Sequence, residues 1–219
     1  DGEGTLYLGE ISANFQETFS RMWAHVTDND GFNKLVLSAG MSWRQAYLIR
    51  AYCRYLLQTG LPFSQLYMEQ VIDRNAGIAR LMVQLFEARF DPHMSSRKRK
   101  TIADQSLAEI NAALDKVASQ DEDRILRAFL TVIKATLRTN FYQLTDLGEF
   151  KAYVSFKLDP SKVPDLPLPR PKYEVFIYSP RMEGVHLRGG KVGMLDALSL
   201  TATVGRQWLQ DQGIAQSVR

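Results

Sequence analysis

Ala152–Leu158 reads AYVSFKL. Val154, Phe156 and Leu158 alternate with Tyr153, Ser155 and Lys157, and this period of two predicts a strand with one buried face. The fold turns on this stretch, because the residues before it follow a different period. Downstream, five of the chain's eight prolines fall between Pro160 and Pro171 in DPSKVPDLPLPRP. Proline lacks an N–H and fixes φ, which excludes a helix or a central strand and leaves an extended connection. YEVFIYS then predicts a second strand, rich in aromatic and β-branched residues, and VHLR a short third one.

Upstream of Phe150 the apolar residues recur at helical spacing. Ile11, Phe15, Phe19, Met22, Trp23 and Val26 make one stripe, and DNDG stops it. Ser42 and Gln45 have capping-box spacing. The helix they open stacks Leu48, Tyr52, Tyr55 and Leu56 and ends near Gly60-Leu-Pro62. A further helix follows in SQLYMEQVI, and another on Ile78, Leu81, Met82, Leu85 and Phe86, closed by DPH. SSRKRK leads into Leu107, Ile110, Leu114 and Val117. Ser119 and Glu122 form a second capping-box pattern ahead of Ile125, Phe129, Val132, Ile133 and Thr136. The predicted fold is mainly α with a small β part: a helical bundle-like region, then the first strands of an α/β substrate domain. The division places a helical domain at 1–148, the strands at 149–192 and a tail at 193–219, read as a helix on Leu195, Leu198, Ala202, Gly205 and Leu209.

Composition narrows the function. Of 219 residues, 45% are hydrophobic and 23% charged, as in an ordinary globular chain able to bury a core. A net charge of +3 demands neither a nucleic-acid nor a membrane partner. One cysteine, Cys53, rules out an internal disulfide framework and fits a reducing cytoplasmic setting. Three histidines far apart in sequence give no metal-ligand spacing. No apolar run reaches transmembrane length, and the N-terminus has neither the basic nor the apolar region of a signal peptide. The chain opens on Asp1 rather than Met, which reads as part of a longer protein.

Four groups of residues invite a chemical reading. Arg97-Lys98-Arg99-Lys100 could meet phosphate, but no aromatic residues interleave, and a solvated helix start is favoured. Trp43, Tyr47, Tyr52, Tyr55 and Tyr67 could line a cleft, but helix packing with polar atoms at the surface is favoured. Cys53 has no histidine nearby in sequence and reads as a packed or half-exposed thiol. Arg188-Gly189-Gly190-Lys191 is the strongest candidate. Two glycines allow close backbone approach, and two flanking cations suit a dicarboxylate or a phosphate, although a plain hairpin turn explains the same residues equally well.

Four stretches carry a family likeness: DGFNKLVLSAGMSWRQAYLIRAYCRYLLQTGLPFSQLYMEQ, IARLMVQLFEARFDP, VASQDEDRILRAFLTVIKATLRTNFYQ and VSFKLDPSKVPDLPLPRPKYEVFIYSPRMEGVHLRGGKV. Across residues 5–192 the chain resembles the large bacterial class of NAD-specific glutamate dehydrogenases. The resemblance implies that the full enzyme deaminates L-glutamate oxidatively to 2-oxoglutarate and ammonium, passing hydride to NAD, within a cytoplasmic homo-oligomer and in amino-acid catabolism. It also implies that the matched part approaches the catalytic region without containing it. The family's second glycine pair, followed by arginine and tryptophan, has no counterpart, because the sequence departs after Val192. No catalytic, NAD-binding or metal residue therefore transfers to this chain, which alone is expected to be inactive and not to bind NAD. Arg188, Gly189, Gly190 and Lys191 remain as substrate-loop candidates. The competing reading is a non-catalytic helical interaction or regulatory module that docks other domains or subunits.

Overall fold

The computed structural model describes residues 2–164, 166 and 170–188. Among them run seven α-helices: α1 (Gly2–Trp23), α2 (Leu35–Ser38), α3 (Trp43–Gln58), α4 (Gln65–Arg74), α5 (Ala76–Phe90), α6 (Ser96–Leu114) and α7 (Gln120–Ala135). Four strands complete the fold: β1 (Thr136–Thr139), β2 (Val154–Leu158), β3 (Tyr173–Ser179) and β4 (Met182–Arg188). They form one antiparallel sheet in the order β1-β2-β3-β4. The expected architecture, mainly α with a small β part, is what the chain adopts.

The helix starts follow from local chemistry. At Ser42 the full capping box forms: the hydroxyl accepts from the Gln45 N–H, and the Gln45 side chain takes the Ser42 N–H at 2.9 Å. Ser64 caps α4 from its side chain in the same way. Ser119 caps α7 by accepting from the Glu122 N–H, but Glu122 does not return the bond. Its carboxylate instead takes Arg74 and Asn75 at the end of α4, so the box residue serves as a tie between helices. Three acids in the first turn of α7 complement the dipole there. Gly60, at φ +79, takes the left-handed conformation that lets α3 end and the chain turn towards α4.

Helix α3 is the axis of the molecule. Ala46, Leu48, Ile49, Ala51, Tyr52 and Cys53 are wholly buried, which happens only to a helix surrounded by other elements. The inner face of the sheet lies against it. Val154, Phe156 and Leu158 of β2, and Phe176 and Tyr178 of β3, are buried, as the alternation in AYVSFKL requires. Tyr52 stacks on Phe156 with ring centroids 4.3 Å apart, and Tyr55 meets Phe176 edge-on at 5.5 Å. One cluster of buried side chains joins helices and strands, running from Phe32 through Phe86 and Phe129 to Tyr178. Cys53, a free thiol with no exposed surface, sits inside it.

Four expectations change. The helical period carries Thr136 as a helix residue, but α7 stops at Ala135 and Thr136 opens β1, a strand of four residues too short to show alternation. The strand over VHLR extends back to Met182, making a tight hairpin with β3 in which Arg181 and Met182 donate their N–H groups to Ser179 Oγ. The proline segment opens with a 3-10 turn, Pro160–Lys162, capped by Asp159. Finally, the stripe on α1 does not enter the core: Phe15, Phe19 and Trp23 are 49%, 55% and 80% exposed, with Phe19 and Trp23 stacked on each other. The 193–219 tail lies outside the described residues.

Candidate substrate loop

Register brings the far ends of three strands to one end of the sheet. Arg188 pairs with Tyr173, and Leu158 pairs with Glu174. The Lys157 ammonium lies 3.9 Å from the Tyr173 ring centroid, with that of Lys172 at 5.7 Å on the same ring. Cation–π attraction of this kind fixes the two lysines beside the strand end. Arg188 is thus the last residue of β4, at a basic edge. The side chain of Arg188, and all of Gly189, Gly190 and Lys191, lie outside the described residues.

The polar groups that hold this sheet on α3 are buried ones. Tyr55 donates to Glu174 Oε2 at 2.5 Å, next to the Arg188 end of β3. Burial raises the Glu174 carboxyl above its ordinary range against the opposing pull of the Tyr55 hydrogen bond. Burial, then Glu174, pushes the Tyr55 hydroxyl up as well, so it stays a donor. Gln58 donates to Glu183 of β4 at 2.7 Å, and Arg54 lies 3.8 Å from the same carboxylate. At the other end of the sheet Tyr47 donates to the Tyr178 carbonyl at 3.1 Å. Tyr52 shares a hydrogen bond with Thr136 at 2.9 Å. The tyrosine hydroxyls of α3 were expected at the surface. They are inside, each matched to a partner on the sheet, because a buried hydroxyl without one costs free energy.

Sequence reading missed the most elaborate of these groups. Arg50 has no exposed surface, yet its guanidinium donates to both Asp30 oxygens at 2.7 Å, to Thr27 at 2.7 Å and to Asn33 at 2.7 Å. Burial alone would lower its pKa, but the Asp30 hydrogen bonds and charge outweigh it and the value rises. The Tyr178 hydroxyl donates to Asp28 in the same segment. Residues 27–33 are thereby tied to both α3 and β3. The only signal was DND ahead of a helix, which reads as a stop and says nothing of the arginine 20 residues on.

The remaining candidates resolve into packing. Arg97, Lys98 and Lys100 are exposed on α6, whereas Arg99 turns back to cap α5, donating to the carbonyls of Arg89 at 2.8 Å and Asp91 at 2.7 Å. Trp43 is buried and donates from Nε1 to Glu17 at 2.9 Å, while Tyr67 is partly buried on α4. Burial raises the Cys53 thiol far above the ordinary range, which makes it a poor nucleophile. Among the described residues no group of histidine, cysteine and carboxylate side chains could hold a metal ion. No described helix is long and apolar enough to cross a membrane.

Comparison with known proteins finds two family models along the chain. Residues 27–92 match the family model of glutamate dehydrogenase, helical motif 3, and residues 109–195 that of bacterial NAD-glutamate dehydrogenase, catalytic domain. The catalytic-domain match begins within α6 and runs past Val192, where the likeness was read as ending. The NAD-specific glutamate dehydrogenase of Halomonas elongata is 46% identical over 187 residues, covering 85% of this chain and 12% of that protein. That of Pseudomonas aeruginosa is 47% identical over 192 residues, 84% of this chain and 12% of its own length. That of Mycobacterium tuberculosis is 44% identical over 180 residues, 81% and 11% respectively. This chain thus spans about one eighth of the relatives it matches. Helices and strands alike fall within these matches, and the chain belongs, as a segment, to the family of bacterial NAD-specific glutamate dehydrogenases.

Proposed function

We propose that this chain is the part of an NAD-dependent glutamate dehydrogenase that carries β4 and its loop to the glutamate site. The complete enzyme converts L-glutamate, NAD and water to 2-oxoglutarate, ammonium and NADH, in the cytoplasm and as a homo-oligomer. NAD is bound by a dinucleotide domain elsewhere in the protein, whose glycine fingerprint this sequence lacks. The helical residues 1–148 form the body, and 149–192 begin the substrate domain. Arg188, Gly189, Gly190 and Lys191 meet a substrate carboxylate, the two glycines admitting close approach and the cations supplying charge. The observation that carries this reading is the position of Arg188 at the end of β4, inside the catalytic-domain match and beside Lys157, Lys172 and Tyr173.

The purified 219-residue chain, given glutamate and NAD, should produce no NADH absorbance above a protein-free blank. Turnover would show that catalytic groups lie within it. In the long enzyme containing this segment, Arg188→Ala should raise KM for glutamate and leave KM for NAD nearly unchanged. Equal effects on both would remove the loop from the glutamate site.

A further inference from the structure

Arg44 stands apart from the other buried cation of α3. It is 6% exposed, and no carboxylate lies within ion-pair distance of it among the described residues. One nitrogen, Nη2, donates to the Phe141 carbonyl at 2.8 Å, while Nε is buried with no hydrogen-bond partner. Aromatic faces surround it instead: the guanidinium carbon is 4.4 Å from the Phe150 ring centroid, 4.6 Å from Phe141 and 5.6 Å from Tyr47. Burial lowers its pKa to about 10, against a smaller opposing influence of Tyr47. Rings offset part of the desolvation of a cation, but an unneutralised buried guanidinium remains costly. Arg50, one helical turn and a half further on, shows the usual solution in its paired carboxylate.

A cavity of about 310 Å³ opens beside Arg44, between α1, α3 and the 148–152 segment. Its charged walls are Arg21, Arg44 and Lys151 against the single carboxylate of Glu149. Arg21 reaches Glu17 at 3.3 Å and lies over the Trp43 ring. The outer wall is built rather than loose. Leu144 and Phe150 bridge, Thr145 donates to the Glu149 carbonyl at 2.7 Å, and Gly148 turns the chain at φ +76. That turn sets Phe150 over Arg44 and edge-on to Trp43 at 6.4 Å.

We propose that this cavity binds a small organic dicarboxylate, one carboxylate on the Arg44 guanidinium and the other among Arg21 and Lys151. The fork of a guanidinium matches a carboxylate, two further cations provide for a second one, and aromatic walls favour a carbon body over an inorganic anion. The volume falls within the range of small-molecule sites. The residues that line this cavity include none of 188–191.

The test is calorimetric titration of the full 219-residue chain at fixed ionic strength with succinate, its neutral diamide and inorganic phosphate. Succinate should bind saturably in the millimolar range or tighter, the diamide should not bind, and phosphate should bind roughly tenfold more weakly or worse. Arg44→Met should abolish succinate binding with the helical circular dichroism retained. Should Arg44→Met unfold, Lys151→Gln decides instead: a severalfold loss of affinity supports the site. The proposal is overturned by no saturable succinate binding, by equal binding of phosphate, by unchanged affinity in a folded Arg44→Met chain, or by unchanged affinity in Lys151→Gln. Substituting Arg188 should leave succinate affinity unaltered, so failure here and failure of the substrate loop are distinguishable.

Discussion

The pairing of Arg50 with Asp30 decides how residues 27–33 sit, because the arginine has no exposed surface. Asp30→Ala strands the buried guanidinium and should destabilise the fold by about 3–5 kcal/mol, measured by urea denaturation. A loss under roughly 1 kcal/mol would mean that the pair behaves as a solvated surface bridge. Glu174 gives a second expectation, in pH. Burial raises its carboxyl above the ordinary value of 4.5, with the Tyr55 hydrogen bond opposing. Over the interval above 4.5 the folded chain holds a proton that the unfolded chain has released, so stability falls as pH rises through it. Below that interval this contribution is fully present. Glu174→Gln cannot titrate, and its stability plotted against pH should lack this decline. Parallel curves for the two proteins would show that Glu174 titrates alike folded and unfolded.

Among the elements, α7 and α1 look alike in sequence and behave differently. Both carry apolar residues at helical spacing. In α7 the stripe is core: Ile125, Phe129, Val132 and Ile133 have no exposed surface. Phe129→Ala should therefore cost about 3–5 kcal/mol through lost transfer energy and a cavity. On α1, Trp23→Ala should change stability by no more than about 0.5 kcal/mol, since Trp23 is 80% exposed. Denaturation midpoints of the two variants check both at once, and a large loss from Trp23→Ala would place the α1 stripe against the body. Periodicity finds a helix and its apolar face, but what covers that face depends on residues distant in sequence. The same limit explains the other differences. Capping boxes are local, and Ser42 with Gln45 formed as its spacing requires. Whether Glu122 closes a box or ties α4 to α7 depends on Arg74, 48 residues away. The alternation in AYVSFKL located the sheet, whereas TLRT is too short for alternation to mark it. The candidate site was legible only as residue types at a glycine pair. The pairs at the strand end that Arg188 closes, Tyr55 with Glu174 and Lys157 with Tyr173, are set by strand register.

At the scale of the whole molecule, the sheet has, among the described residues, one covered face and one open one. Val175 and Ile177 point away from α3, register with His186 and Gly184 of β4, and are only partly buried. Among the described residues β4 has β3 as its single neighbour. An open strand with apolar residues beside it is a template for pairing with another chain. The isolated chain should accordingly associate as its concentration rises, seen as an increasing sedimentation coefficient. Val175→Lys should reduce the effect by charging the open face. Concentration-independent sedimentation of the unsubstituted chain would show that this face and edge are already occupied.

The single thiol at the centre of the core turns the molecule into its own stopwatch. Cys53 lies on α3 near Glu69 of α4 and near Asp30, and its burial keeps it protonated. A disulfide reagent in solution can modify it only when α3 parts from the elements packed on it, so the rate of labelling counts openings. At low reagent the rate reports how often the open form is populated, and at saturating reagent it reaches the opening rate itself. Both quantities can be read from the native sequence without introducing a probe, and a ligand that fastens residues 148–152 to α3 should slow the clock.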